Sequence, residues 1–145
     1  SDTHNLLRPE VIEIIKSSNA VIHGGDINSQ GVLDEIKSVM KPNAQLFVIR
    51  GKNDKEWAEN MSVSLDFELG GLKFFHNRKD IPQDIKADII IFGHSHKYCE
   101  ENIGGQLWLN PGSCGRKRFN LPITMAVMNV NDNEYSIEKI ELEGE

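Results

Sequence analysis

The chain has 145 residues, 39% of them hydrophobic, with 16 Lys plus Arg against 22 Asp plus Glu, the profile of a single globular domain over residues 1–145 that needs neither disulfides nor a structural metal to fold. A formal charge of −6 argues against a stable complex with nucleic acid through a broad basic face, and no apolar run approaches the roughly 20 residues that span a bilayer. Two cysteines, Cys99 and Cys114, are too few for a disulfide framework, and with no secretory signal at the start the expectation is a reduced, cytoplasmic protein.

The chain opens on Ser1-Asp2-Thr3-His4, a polar loop of the kind that ends a strand, although no strand precedes it. The first strand of the fold is therefore expected to be missing from the chain, and a free terminal loop would hold Asp2 and His4 weakly. Pro9 suits a first helical turn, and Val11, Ile12, Ile14 and Ile15 supply the apolar stripe of a helix behind it. Ala20 to His23 reads as a buried strand running into Gly24-Gly25-Asp26. A second helix is expected from Gln30 to Met40, with Leu33, Ile36, Val39 and Met40 on one face and Pro42 as its stop.

Four more short apolar runs end in polar loops. Leu46 to Arg50 leads into Gly51-Lys52-Asn53-Asp54, Leu72 to Phe75 into His76-Asn77, Ile89 to Phe92 into Gly93-His94-Ser95-His96, and Leu107 to Leu109 into Asn110-Pro111-Gly112-Ser113. Val63, Leu65, Phe67 and Leu69 alternate as one further strand. A short helix is expected near Arg78 to Lys86, and a closing hairpin pairs Thr124–Val130 with Tyr135–Leu142 around Asn131-Asp132-Asn133. In open α/β sheets ligands bind beyond the carboxyl ends of the strands, so these loops can converge on one site.

All five histidines, His4, His23, His76, His94 and His96, lie in or beside those strand-end loops, and none lies in the helices or the hairpin. With Asp2 and Asp26 they form a set of imidazole and carboxylate groups without a thiolate. Such ligands suit Mn²⁺, Fe²⁺, Zn²⁺, Co²⁺ or Ni²⁺ rather than a structural cysteine knot.

These residues in this order resemble the calcineurin-like metallophosphoesterases, and most closely their small prokaryotic phosphodiesterase branch. The resemblance runs from residue 1 to the Arg116-Lys117-Arg118-Phe119 segment. It implies an α/β fold in four layers, an α-β-β-α sandwich of two mixed sheets, with one or two divalent ions at the strand ends and manganese the leading candidate. On the family pattern, Asp2, His4 and His96 hold one metal, His76 and His94 the other, and Asp26 bridges them. Asp54 and His23 stand beside the ligands to orient them, though His23 reads equally well as a buried core residue. Asn110-Pro111-Gly112-Ser113 is either a tight turn or a loop lining the site.

The implied reaction is hydrolysis of a small phosphate ester, more a diester than a monoester, by in-line attack of metal-activated hydroxide. Two positions depart from the pattern. Lys52 stands where the family has an Asn ligand, and an ammonium has no acceptor to offer a metal. At about 4 Å and an effective dielectric near 20 it would repel a divalent ion by roughly 8 kcal/mol. A weakened or empty second metal position is therefore expected, or an ammonium that meets the substrate phosphate itself. Asn53 stands where larger relatives carry a His able to protonate the leaving group. Arg116 is a further candidate for substrate contact. The rival reading is a catalytically weakened member of the fold acting as a protein-binding scaffold, and a homo-oligomer is compatible with either.

Overall fold

The computed structural model describes residues 1–51, 54, 56–77, 81, 84–93, 96–115 and 121–142. Two helices, α1 (Pro9–Ser17) and α2 (Gln30–Val39), flank a parallel pair, β1 (Ala20–His23) and β2 (Gln45–Val48). Pro9 occupies the first turn of α1, as its fixed φ favours. Ser29 caps α2 by accepting the Val32 N–H. Val11 and Ile15 of α1 meet Val32 and Ile36 of α2 in one buried cluster. The second helix ends one residue short of its expected limit, with Met40 as its cap.

A five-stranded mixed sheet follows, built from β3 (Ser64–Leu69), β4 (Leu72–Asn77), β5 (Ile89–Ile91), β6 (Cys99–Ile103) and β7 (Gln106–Asn110) in the order β3-β4-β5-β7-β6. The central neighbours β4, β5 and β7 are parallel, and the two outer strands are antiparallel to them. The chain closes with the hairpin β8 (Ile123–Asn131) and β9 (Glu134–Leu142). Its turn residues Asp132 and Asn133 both take positive φ, 49° and 66°, the primed geometry that matches the twist of paired strands.

Alternation along the strands assembles the layers. Val21, Leu46, Val48 and Met125 face the helices, whereas Ile22, Ala126, Met128 and Val130 face the five-stranded sheet. Phe47 stacks on Phe67 at 3.9 Å between ring centroids, and Phe67 on Phe74 at 5.1 Å. The pair β1-β2 and the hairpin thus share an inner layer between the helices and the mixed sheet. The expected α/β layering is present, with the inner sheet in two pieces. The helix expected near Arg78–Lys86 lies partly outside the described residues, and residues 81 and 84–86 are turn or irregular backbone. Gln106 fastens this segment by donating to the carbonyls of Ile85 and Ala87. Among the described residues no helix is long and apolar enough to cross a membrane.

This topology positions the site. Strands β1, β2, β4, β5 and β7 all carry their polar extensions at their carboxyl ends, and the parallel pairing aligns those ends along one rim.

Candidate metal centre

The loop of residues 1–5 lies beside the loop after β1. The Asp2 N–H donates to the Gly25 carbonyl, that of His4 to Asp26, and that of Asn5 to Ile27, at 3.0, 2.9 and 2.8 Å. The loop after β7 closes over it from the other side. There the Cys114 N–H and Ser113 hydroxyl donate to the carbonyls of Ser1 and Asp2, and Arg8 donates to Gly115. The Asn110 side chain accepts the Gly112 N–H, the contact of a tight turn, in a loop that also packs on residues 1 and 2. Cys114 sits in the helix-side core, a packing residue.

Three non-adjacent side chains converge here. One ligating atom each from Asp2, His4 and His96 lie within 4.8 Å of one another. Asp2 Oδ1 is 3.8 Å from Nε2 of both His4 and His96, and Asp26 Oδ2 is 4.0 Å from His4 Nε2. The two imidazoles lie nearly parallel, 5.4 Å apart. These separations exceed hydrogen-bonding distance. They match the spacing of two donors on one ion, which at bond lengths of 2.0–2.2 Å is about 3 to 4.3 Å. His96 Nδ1 is buried without a hydrogen-bond partner among the described residues. Two buried carboxylates facing two imidazoles form a donor set complementary to a divalent cation, so the residues present fit the metal that the sequence implies.

The backbone is unusual at the same four residues. Asp2, His4, Asp26 and His96 have φ of 56°, 46°, 57° and 62°, a region that costs energy for residues with a side chain and clusters at functional sites.

Asp54 explains how Asp26 is held there. Its buried carboxylate accepts four backbone N–H groups, from Ile27 and Asn28 on Oδ1 and from Asp26 and Gly51 on Oδ2, at 2.8–2.9 Å. Gly51 is required beside it, because a Cβ at that position would overlap the Asp26 backbone nitrogen and carboxylate.

His23 is buried and hydrogen-bonded through both ring nitrogens, with Nδ1 accepting from the Gly25 N–H at 3.0 Å and Nε2 at 3.1 Å from Thr3 Oγ1. This is the buried, hydrogen-bonded residue of one sequence reading, and its contacts are made to loops that carry candidate ligands.

His76 stands apart. Its Nε2 faces the His23 carbonyl at 2.9 Å and its Nδ1 the Ile91 carbonyl at 3.2 Å, so it is not brought into the Asp2–His4–His96 group. Burial pushes its pKa below the ordinary 6.5, against the pull of the two carbonyls. His94, Lys52, Asn53 and Arg116 lie outside the described residues. Thr3 and Ser113 belong to two of the polar loops noted in the sequence, and the structure adds their contacts, Thr3 to His23 and Ser113 to the Asp2 carbonyl. The signal for Thr3 was its place between two candidate ligands, where one side chain must turn away from the site.

A family model for the calcineurin-like phosphoesterase superfamily domain matches residues 1–133. This chain belongs to that superfamily. A phosphodiesterase of Methanocaldococcus jannaschii is 31% identical to this phosphoesterase, with 93% of each chain covered. A probable metallophosphoesterase of Methanothermobacter thermautotrophicus is 26% identical over 88% of this chain and 81% of its own. Among solved structures, a novel archaeal phosphodiesterase superposes with a TM-score of 0.74 at 26% identity, covering 92% of this chain and 90% of that one. A zinc complex of the Entamoeba histolytica vacuolar sorting protein Vps29 gives 0.72 at 17% identity, with coverage of 93% and 89%. The second similarity shows the shared fold alone. At the level the family fixes, this is a member of a metal-binding phosphoesterase family with a phosphodiesterase relative.

Proposed function

We propose that the chain is a metal-dependent phosphodiesterase acting on a small phosphate ester. The observation that carries this reading is the convergence of buried Asp2 and His4 with half-buried His96, and Asp26 alongside, at separations suited to a shared cation. The phosphodiesterase relative supplies the substrate class. When bound, a divalent ion contributes Lewis acidity toward phosphate oxygens and lowers the pKa of water.

The chain's own residues do the positioning. His4 and His96 present ring nitrogens, Asp2 and Asp26 supply negative charge and oxygen ligands, and Asp54 locks the backbone that carries Asp26. Manganese is the leading candidate for this mixed nitrogen and oxygen set. Asp2, His4, His96 and Asp26 build the first position. The family pattern gives a second position to His94 and His76, but both His76 ring nitrogens face backbone carbonyls and Lys52 offers no acceptor, so the second position is the weaker one. Asn53, an amide, gives no proton to a leaving group at neutral pH.

Among the described residues the exposed large hydrophobics are Val63, Ile103 and Tyr135. Val63 precedes the strand at one edge of the mixed sheet, and Ile103 lies on the strand at the opposite edge.

The test is elemental analysis of purified protein with hydrolysis of a nitrophenyl diester and monoester, with and without added Mn²⁺. The expected result is Mn²⁺-stimulated hydrolysis that favours the diester and is lost in His4→Ala and His96→Ala. Metal-independent hydrolysis, or none under any metal, would overturn the proposal.

A further inference from the structure

We infer that His23 is a positioning residue whose imidazole joins the two loops that carry Asp2, His4 and Asp26, an inference that rests on the metal centre proposed above. The Gly25 N–H donates to Nδ1 at 3.0 Å, so that nitrogen carries a lone pair. The proton is then on Nε2, which donates to Thr3 Oγ1 at 3.1 Å. One neutral imidazole in one tautomer thus ties the turn before Asp26 to the residue between Asp2 and His4.

The backbone carbonyl of the same residue meets His76 Nε2 at 2.9 Å. His23 is the last residue of β1 and is paired with Val48 of β2, so its backbone is anchored in the sheet. The Ile49 N–H adds a bond to its carbonyl at 3.3 Å. A fixed strand end therefore holds two irregular loops whose key residues sit at positive φ. Gly25 itself has φ of 93° and, at its Cβ position, no room beside the Gly51 backbone. Asp54 accepts the N–H groups of Asp26, Ile27 and Asn28 in this loop, and the imidazole adds a bond at Gly25 and one to Thr3.

A core residue of the same size would fill the volume but could not accept from Gly25 and donate to Thr3 together. Gln can do both through its amide, and it is the rescue variant. Removing the groups that orient metal ligands lowers metal affinity about 10- to 100-fold. The experiment is Mn²⁺ titration of metal-depleted protein by calorimetry, with thermal unfolding of the same samples. His23→Ala and His23→Leu are expected to weaken Mn²⁺ binding about 10-fold or more, and His23→Gln to recover much of it. Thr3→Val breaks the same contact without removing the imidazole. It is expected to weaken binding too, and to have little further effect when added to His23→Ala. Ile36→Val, in the helix-side core, serves as a control that lowers stability and leaves Mn²⁺ affinity unchanged.

Undiminished affinity in both Thr3→Val and the His23 variants would overturn the inference while leaving the metal centre intact. So would His23→Leu binding as tightly as His23→Gln. Wild-type protein that takes up no Mn²⁺ would overturn the metal centre, and the inference with it. Should His23→Ala fail to fold, Thr3→Val and His23→Gln still decide the matter.

Discussion

Asp54→Asn changes one oxygen to an amide nitrogen with almost no change in volume. The native carboxylate accepts two N–H groups on each oxygen: Ile27 and Asn28 on Oδ1, Asp26 and Gly51 on Oδ2. An Asn keeps one acceptor, so one pair survives while the other faces the new NH₂ group. Two buried donors are left unpaired at about 1–3 kcal/mol each, giving a destabilisation of about 2–6 kcal/mol. That is a large share of the roughly 5–15 kcal/mol that holds a domain together. Chemical denaturation measures the loss. Amide hydrogen exchange identifies the pair released, either Asp26 with Gly51 or Ile27 with Asn28. Because Asp26 moves with its backbone, metal affinity is expected to fall as well. A stability loss under about 1 kcal/mol with all four amides still protected would refute the view that this carboxylate organises the loop.

Three further outcomes are expected. Lys52→Asn should raise the metal content of purified protein and its turnover, because the amide supplies an acceptor where the ammonium has none; elemental analysis and diester hydrolysis check both. With Asn53 unable to donate a proton, rates should fall steeply as leaving-group pKa rises, so a flat plot across aryl and alkyl diesters would count against an acid-free site. His76 is held below its ordinary 6.5 by burial, so the unfolded chain binds its proton at a higher pH than the folded one. Stability of the metal-depleted protein from this residue is therefore complete above about pH 6.5 and lost as pH falls below it, and denaturation midpoints from pH 7.5 to 5 should show a slope that His76→Asn reduces.

Much of the fold was legible because short strands ending in polar loops leave a clear local pattern. Ala20–His23 was read to the residue, and the closing hairpin was read from alternation and its Asn-Asp-Asn turn. The limits of Leu72–Asn77 were less clear: His76 looked like a loop residue, yet it continues the strand and points into a fully buried position. Periodicity does not show where pairing stops, since that depends on the neighbouring strand.

The grouping of Asp2, His4 and His96 is what the family pattern implies, whereas ligand chemistry alone marks only the wider set, and these three side chains do converge. The work of Asp54 was legible only as proximity to ligands. Its hydrogen bonds reach back 26 to 28 residues to another loop, and no local signal encodes such a register. The partners of Thr3 and Ser113, within loops the sequence does mark, are hidden for the same reason, since His23 and Asp2 are distant in sequence. The carbonyl contacts of His76 likewise depend on how β1 and β5 approach β4, which composition does not specify.

The most direct test of the shared cation is anomalous X-ray diffraction from crystals grown with Mn²⁺. The account predicts a manganese peak bonded by Asp2 Oδ1, His4 Nε2 and His96 Nε2, with Asp26 Oδ2 in reach. A peak elsewhere on the molecule, or none at saturating Mn²⁺ with these four side chains ordered, would contradict it.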